Sequence, residues 1–149
     1  MPELYFEDFT IGRVFETEPW PLSQDAIIAY ARRYDPQPYH IDPAAAERTR
    51  FGGLIASGFH SVAIASGQFV RSGILAAAGM GGPGMDDIRW LAPVRPGDVL
   101  RTTVTVRSAR VSQSKPDRGV VTFALETASD AGTVLTLTVA VIIGLRPAG

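Results

Sequence analysis

The stretch from Ile55 to Ala78 constrains this chain more than any other. It reads IASGFHSVAIASGQFVRSGILAAA and is apolar or small at almost every position. Only His60, Gln68, Arg71 and a few serines interrupt it. A helix that is apolar on most of its faces is a buried one, so other elements must surround it. Its glycines and alanines let neighbouring backbone come close. The pattern predicts a single enclosed helix over about 55–78, ended by the Gly81–Gly84 cluster. What surrounds it must come from the second half of the chain, where the period of the sequence changes.

Asp86–Val94 reads as a strand that runs into the turn APVRPGD. Val99–Arg110 alternates, with Leu100, Thr102, Val104 and Val106 sharing one face. A turn over Lys115–Gly119 leads to a second alternating run, Val120–Ser129. Asp130–Ala131–Gly132 reads as a tight hairpin turn into a last strand, Thr133–Leu145. Strands joined by short turns pair antiparallel. One enclosed helix followed by such a run of strands gives an α+β fold. With 149 residues, no repeat and no linker, the chain is expected to form one domain, 1–149.

The first third supplies smaller pieces. Val14, Glu16 and Glu18 alternate with Phe15 and Thr17, which predicts an edge strand that stops at Pro19–Pro21. Ser23 stands where a helix N-cap belongs, with Asp25 in the first turn. Ile27, Ile28, Ala31 and Tyr34 then follow helical spacing. That helix must end near Tyr34, because Pro36 disfavours the α conformation at Asp35. Asp42–Pro43 starts another short helix, with Asp42 as N-cap and Pro at the first helical position.

Several function classes drop out. The formal net charge is −1 and the basic residues form no run, so neither a nucleic-acid surface nor a polybasic membrane anchor is expected. There is no cysteine, which excludes disulfides, thiolate nucleophiles and Cys-based metal sites. The opening MPELYFEDF has no basic or apolar signal region. The apolar run Val134–Leu145 is far shorter than the roughly 20 residues of a spanning helix and carries Thr136 and Thr138. A soluble, cytoplasmic protein is expected.

The two histidines are His40 and His60. No HExxH spacing, GxSxG elbow or phosphate loop is present, so no metal site is expected. What remains is RYDPQPYHIDP, Arg33 to Pro43, with Asp35 and His40 five apart. Five apart puts them on different faces of a regular helix, but Pro36 and Pro38 forbid one between them. A Pro-rich loop can turn both side chains to one point, where an acid and an imidazole can hold a water and move protons across it. The residues alone leave a second reading open: Asp35 as a turn starter and His40 as a surface or capping residue. Asp42 reads as an N-cap. His60, in an apolar helix, reads as a hydrogen-bonded core or interface histidine. The serines at 57, 61 and 66 read as helix-packing residues, and Phe51, Phe59, Phe69 and Trp90 as either pocket walls or plain core.

Three blocks in order, DPQPYHID, FGGLIASGFHS and APVRPGD, resemble the MaoC-like dehydratases, or (R)-specific enoyl-CoA hydratases. The resemblance implies a hot-dog fold, a long central helix wrapped by an antiparallel sheet, usually paired as a homodimer or assembled further. It implies addition of water to, or its removal from, an enoyl or 3-hydroxyacyl thioester carried on CoA or acyl-carrier protein. It implies no metal or redox cofactor, CoA entering as part of the substrate. The family's catalytic pair falls on Asp35 and His40. Its oxyanion donor, a backbone N–H, falls on Gly58, and a serine near the pair falls on Ser66. The chain departs from the pattern at Gln37, where Asn is usual, at Tyr34, where Gly is common, and at Pro36. A hot-dog thioesterase and a non-catalytic acyl-binding module are the alternative readings.

Overall fold

The computed structural model describes residues 2–149. In chain order the elements are β1 (Val14–Glu16), β2 (Trp20–Pro21), α1 (Gln24–Tyr34), α2 (Pro38–Ile41), α3 (Pro43–Glu47), α4 (Gly58–Arg71), β3 (Gly84–Trp90), β4 (Val99–Val111), β5 (Arg118–Ser129) and β6 (Gly132–Gly144). The strands pair antiparallel in the order β1-β4-β5-β6-β3, with β2 also on β4. β4, β5 and β6 bury alternate residues, and their inner faces meet α4 in one apolar core. Phe69 of α4 packs edge-on to Phe123 of β5, with 4.9 Å between ring centroids. The architecture is α+β, as the change of period predicts. Among the described residues no helix is long and apolar enough to cross a membrane.

The central helix is shorter than the apolar pattern suggests. Ser57 caps its start, and the residues before it are buried in extended backbone: Ile55 N–H bonds to Tyr39 O and Ala56 N–H to Val94 O. The helix ends at Arg71, ten residues before the glycine cluster, because Gly73 takes a positive φ of 84° that favours glycine. Residues 72–78 continue as turns. Likewise β3 stops at Trp90 instead of Val94. Leu91 N–H still reaches Val134 O, but Pro93 and Pro96 offer no donor to continue the ladder. The expected edge strand is two short ones, β1 and β2, separated by Thr17–Pro19.

One polar side chain inside the core is fully partnered. Gln68 of α4 is 2 % exposed, and its amide donates to Glu18 O and Leu100 O, each at 2.9 Å. Its Oε1 accepts from Thr102 Oγ1 at 2.7 Å, and Thr102 in turn meets Thr127 Oγ1 at 2.7 Å. The helix is thereby tied to β4, β5 and the segment between β1 and β2. Gln68→Ala strands two carbonyls and two threonines in the core. It is expected to lower unfolding free energy by about 2–4 kcal/mol, read from the midpoint of urea denaturation at unchanged slope.

Candidate active site

α1 ends because Asp35 precedes proline. Asp35 takes φ −159° and ψ 70° as the C-cap, its N–H still bonded to Ala31 O at 2.8 Å. The segment after it is not the loop that two prolines suggest. Pro38 opens a one-turn helix, α2, at the position where its missing N–H costs nothing, and His40 rides on that turn. Helix stop followed at once by helix start folds the chain back, so His40 Nε2 lies 3.4 Å from Asp35 Oδ2. Asp42 caps α3, accepting from Ala44 and Ala45 N–H at 3.1 and 3.2 Å.

The protonation pattern follows from the partners. His40 is buried, and its Nδ1 lies 2.7 Å from Ile55 O. A carbonyl only accepts, so Nδ1 carries the proton. In the neutral ring Nε2 therefore presents its lone pair toward Asp35. Asp35 Oδ2 accepts from Ser57 Oγ at 2.7 Å and Oδ1 from Gln37 Nε2 at 2.8 Å. Desolvation is the largest single influence on Asp35 and raises its pKa. The bonds from Ser57 and Gln37 and the facing His40 together outweigh it, holding the carboxyl below its ordinary value. An ionised Oδ2 and an unprotonated Nε2 are both acceptors. A molecule with two O–H donors satisfies both at once, and water is the smallest such molecule.

Gln37 replaces the Asn of the motif, and its longer amide has a use: the NH₂ holds Asp35 while Oε1 accepts from Tyr39 OH. Ser57 is a packing residue in the sequence reading. In the structure it caps α4, accepting from Phe59 N–H at 3.2 Å, and donates to the carboxylate. The start of the central helix and the acid are thus fixed by one hydroxyl.

Asp35, His40 and Gly58 open on one cavity of about 660 Å³, with Phe51, Phe59 and Trp90 among its walls. Gly58 is the first residue of α4, and its N–H makes no backbone hydrogen bond among the described residues. A Cβ here would lie 2.6 Å from the Trp90 indole, whose N–H donates to Gly58 O at 2.9 Å. The position therefore requires glycine, and a free N–H at a helix start favours developing negative charge. Ser66 is not brought to this site within one chain. Eight residues carry it about 12 Å along α4 from Gly58, and it faces a second, apolar cavity of about 440 Å³ with Phe69 and Val70. Phe69 is core. His60 is buried, but it is stacked and not held at Nδ1: its ring lies 4.3 Å from that of Tyr30, at 5°, and Nδ1 has no hydrogen-bond partner among the described residues. Burial pushes its pKa down. Among the described residues no three His, Cys, Asp or Glu side chains come together to hold a metal.

An antiparallel sheet wrapped around one helix is the architecture of a hot-dog protein. The chain belongs to the MaoC-like family: the MaoC like domain matches residues 7–128. It is 34% identical over 121 residues to the uncharacterized protein YdeM of Bacillus subtilis (strain 168), covering 81% of this chain and 84% of that one. The crystal structure of the MaoC-like dehydratase from Rhodospirillum rubrum superposes with a TM-score of 0.89 at 37% identity, over 97% of this chain and 99% of that one. The (R)-hydratase PhaJ1 from Pseudomonas aeruginosa shares the fold, with a TM-score of 0.71 at 21% identity over 97% and 88% of the two chains. Family membership supports a hydratase or dehydratase role.

Proposed function

We propose that the chain is an (R)-specific hydratase or dehydratase of enoyl and 3-hydroxyacyl thioesters, with Asp35 and His40 as its catalytic pair and Gly58 as its oxyanion donor. The observation that carries this is the pairing of two acceptors, Oδ2 and Nε2 at 3.4 Å, on the wall of a cavity that also holds Gly58. In the hydration direction a water donates to both. Its hydroxyl adds to the β-carbon of a 2-enoyl thioester, one proton passes to the pair, and the pair delivers one proton to the α-carbon. The pair ends each turnover with the protons it began with. Negative charge that builds on the thioester oxygen in between is met by the Gly58 N–H.

The test is a paired assay. Absorbance of the conjugated enoyl thioester is followed with crotonyl-CoA and with a longer enoyl-CoA, alongside a thiol reagent. Loss of absorbance without free thiol is the expected result. Thiol release would replace this reading with thioester hydrolysis, and silence from every chain length would leave an acyl-binding role.

The same reading includes a homodimer. β3 lies at the end of the strand order, bonded among the described residues only to β6, and exposes Met85 and Trp90. An unpaired edge with apolar side chains is completed when two copies meet. Sedimentation at micromolar concentration is expected to give the mass of two chains; the mass of one would refute pairing.

A further inference from the structure

We propose that Arg50 and Arg95 form a phosphate-binding subsite at the mouth of the Asp35–His40 cavity, which reads the phosphorylated carrier of the thioester substrate. The inference rests on the hydratase reading above and extends it from the reacting carbons to the carrier.

Both arginines line that cavity, whose other charged walls are Asp35 and, when protonated, His40. They converge on one residue. Arg95 Nη2 donates to Phe51 O at 2.5 Å, and the Arg50 guanidinium lies 4.4 Å from the centre of the Phe51 ring. Neither forms an ion pair with a carboxylate among the described residues. The nearest acid in sequence, Asp98, accepts from the Arg95 backbone N–H at 2.9 Å and leaves the guanidinium to its other partners. Asp35 is held by the donors Ser57 Oγ and Gln37 Nε2. Two guanidiniums without a carboxylate, one anchored on the Phe51 carbonyl and one over its ring, offer their remaining N–H donors to a shared anion. Arginine's planar fork matches the paired oxygens of a phosphate, which it can bind bidentately.

The position fits a carrier and not the acyl group. A line of ring contacts leads from the pair to the cations: His40 to Tyr39 at 4.5 Å, Tyr39 to Phe51 at 5.1 Å, then Arg50 over Phe51 at 4.4 Å. A neutral acyl chain gives a guanidinium nothing to bind. The pantetheine arm of a thioester ends in a phosphate, which both coenzyme A and an acyl-carrier protein possess. Arg95 is half-buried and joins two loops, whereas Arg50 is exposed. Arg50 is thus the residue to vary, because its loss strands no buried partner.

The experiment compares one enoyl group on four carriers: pantetheine, 4′-phosphopantetheine, coenzyme A and acyl-carrier protein. In wild type kcat/KM is expected to favour phosphopantetheine over pantetheine by about tenfold. Arg50→Ala is expected to bring that ratio close to one, Arg50→Lys to keep part of it, and Arg50→Glu to invert it. Raised salt should shrink the wild-type ratio. No preference in wild type, or one that survives Arg50→Ala, overturns the subsite. The larger loss in Arg50→Ala, with coenzyme A or with carrier protein, identifies the source of the phosphate. Calorimetry with free 4′-phosphopantetheine and pantetheine separates this inference from the one beneath it. If no enoyl thioester turns over, the hydratase reading fails, yet phosphate-dependent binding lost in Arg50→Glu still upholds the subsite, and its absence removes it.

Discussion

Asp35→Asn is expected to lower hydration of an enoyl thioester by about a thousandfold or more while the protein stays folded. The exchange conserves shape, so the cavity keeps its walls. It removes the one group at the site that is ionised at neutral pH and can take up a proton. It also alters the hydrogen bonding. The carboxylate accepts from Ser57 Oγ on one oxygen and from Gln37 Nε2 on the other. An amide has only one oxygen, so one bond must be re-made with a donor facing it. Ser57 can rotate its hydroxyl and accept, which limits the cost in stability. The pH dependence carries the sign of the shift. Because the folded carboxyl lies below its ordinary value, its contribution to stability is present above the unfolded pKa and lost as pH falls through the folded one. Asp35→Asn should therefore flatten the acid side of the stability profile. In wild type the acid limb of kcat/KM should lie below the ordinary aspartate range, and Ser57→Ala should move it upward, since a bond that favours the ionised form is gone. Near-native turnover by Asp35→Asn would remove Asp35 from the catalytic role.

The pair was legible in the sequence, but its construction was not. Pro36 and Pro38 show that Asp35 and His40 do not share a helix. They do not show that Pro38 begins one, since proline is as much at home at a first helical position as in a turn. The enclosed helix is visible in its apolar run, yet the run overstates it at both ends. Leu54 to Ala56 are apolar because they are buried in extended backbone beside Tyr39 and Val94. Composition cannot separate that from a buried helix. The cap residue could: Ser57, directly before Gly58, is a helix-start signal of the usual kind. It was obscured by the apolar residues on its N-terminal side. The contacts that tune Asp35 lie beyond any local pattern. Ser57 is 22 residues away along the chain and meets the carboxylate only because α4 starts beside the end of α1. Gln37 reads as a departure from the family motif until the structure shows its amide on Asp35. Ser66 shows the reverse. The motif sets it with the pair, whereas within one chain it lines another cavity, beside Phe69 and Val70.

Replacing His40 separates its chemistry from its place in the fold. His40→Ala is expected to cost about a hundredfold to ten-thousandfold in kcat, because Nε2 is the acceptor that faces Asp35, 3.4 Å from its Oδ2. The same change is expected to destabilise the protein by about 1–3 kcal/mol, because it removes the donor to the buried Ile55 carbonyl and leaves a space where the ring was. Lost activity in this variant alone would not distinguish a missing base from a loosened site. His40→Asn does. Its side-chain amide reaches about as far as Nδ1 and can restore the bond to Ile55 O, but it offers nothing at the position of Nε2. It should recover much of the stability and little of the rate. Added imidazole gives the converse result: it fits the space left in His40→Ala and should return part of the rate, with a dependence on pH set by the free base. If His40→Asn hydrates the substrate at a near-native rate, Nε2 is not the proton acceptor and the imidazole serves only to tie α2 to the segment before α4. If stability returns without rate, the two nitrogens of His40 divide their tasks, Nδ1 to hold the ring and Nε2 to move the proton.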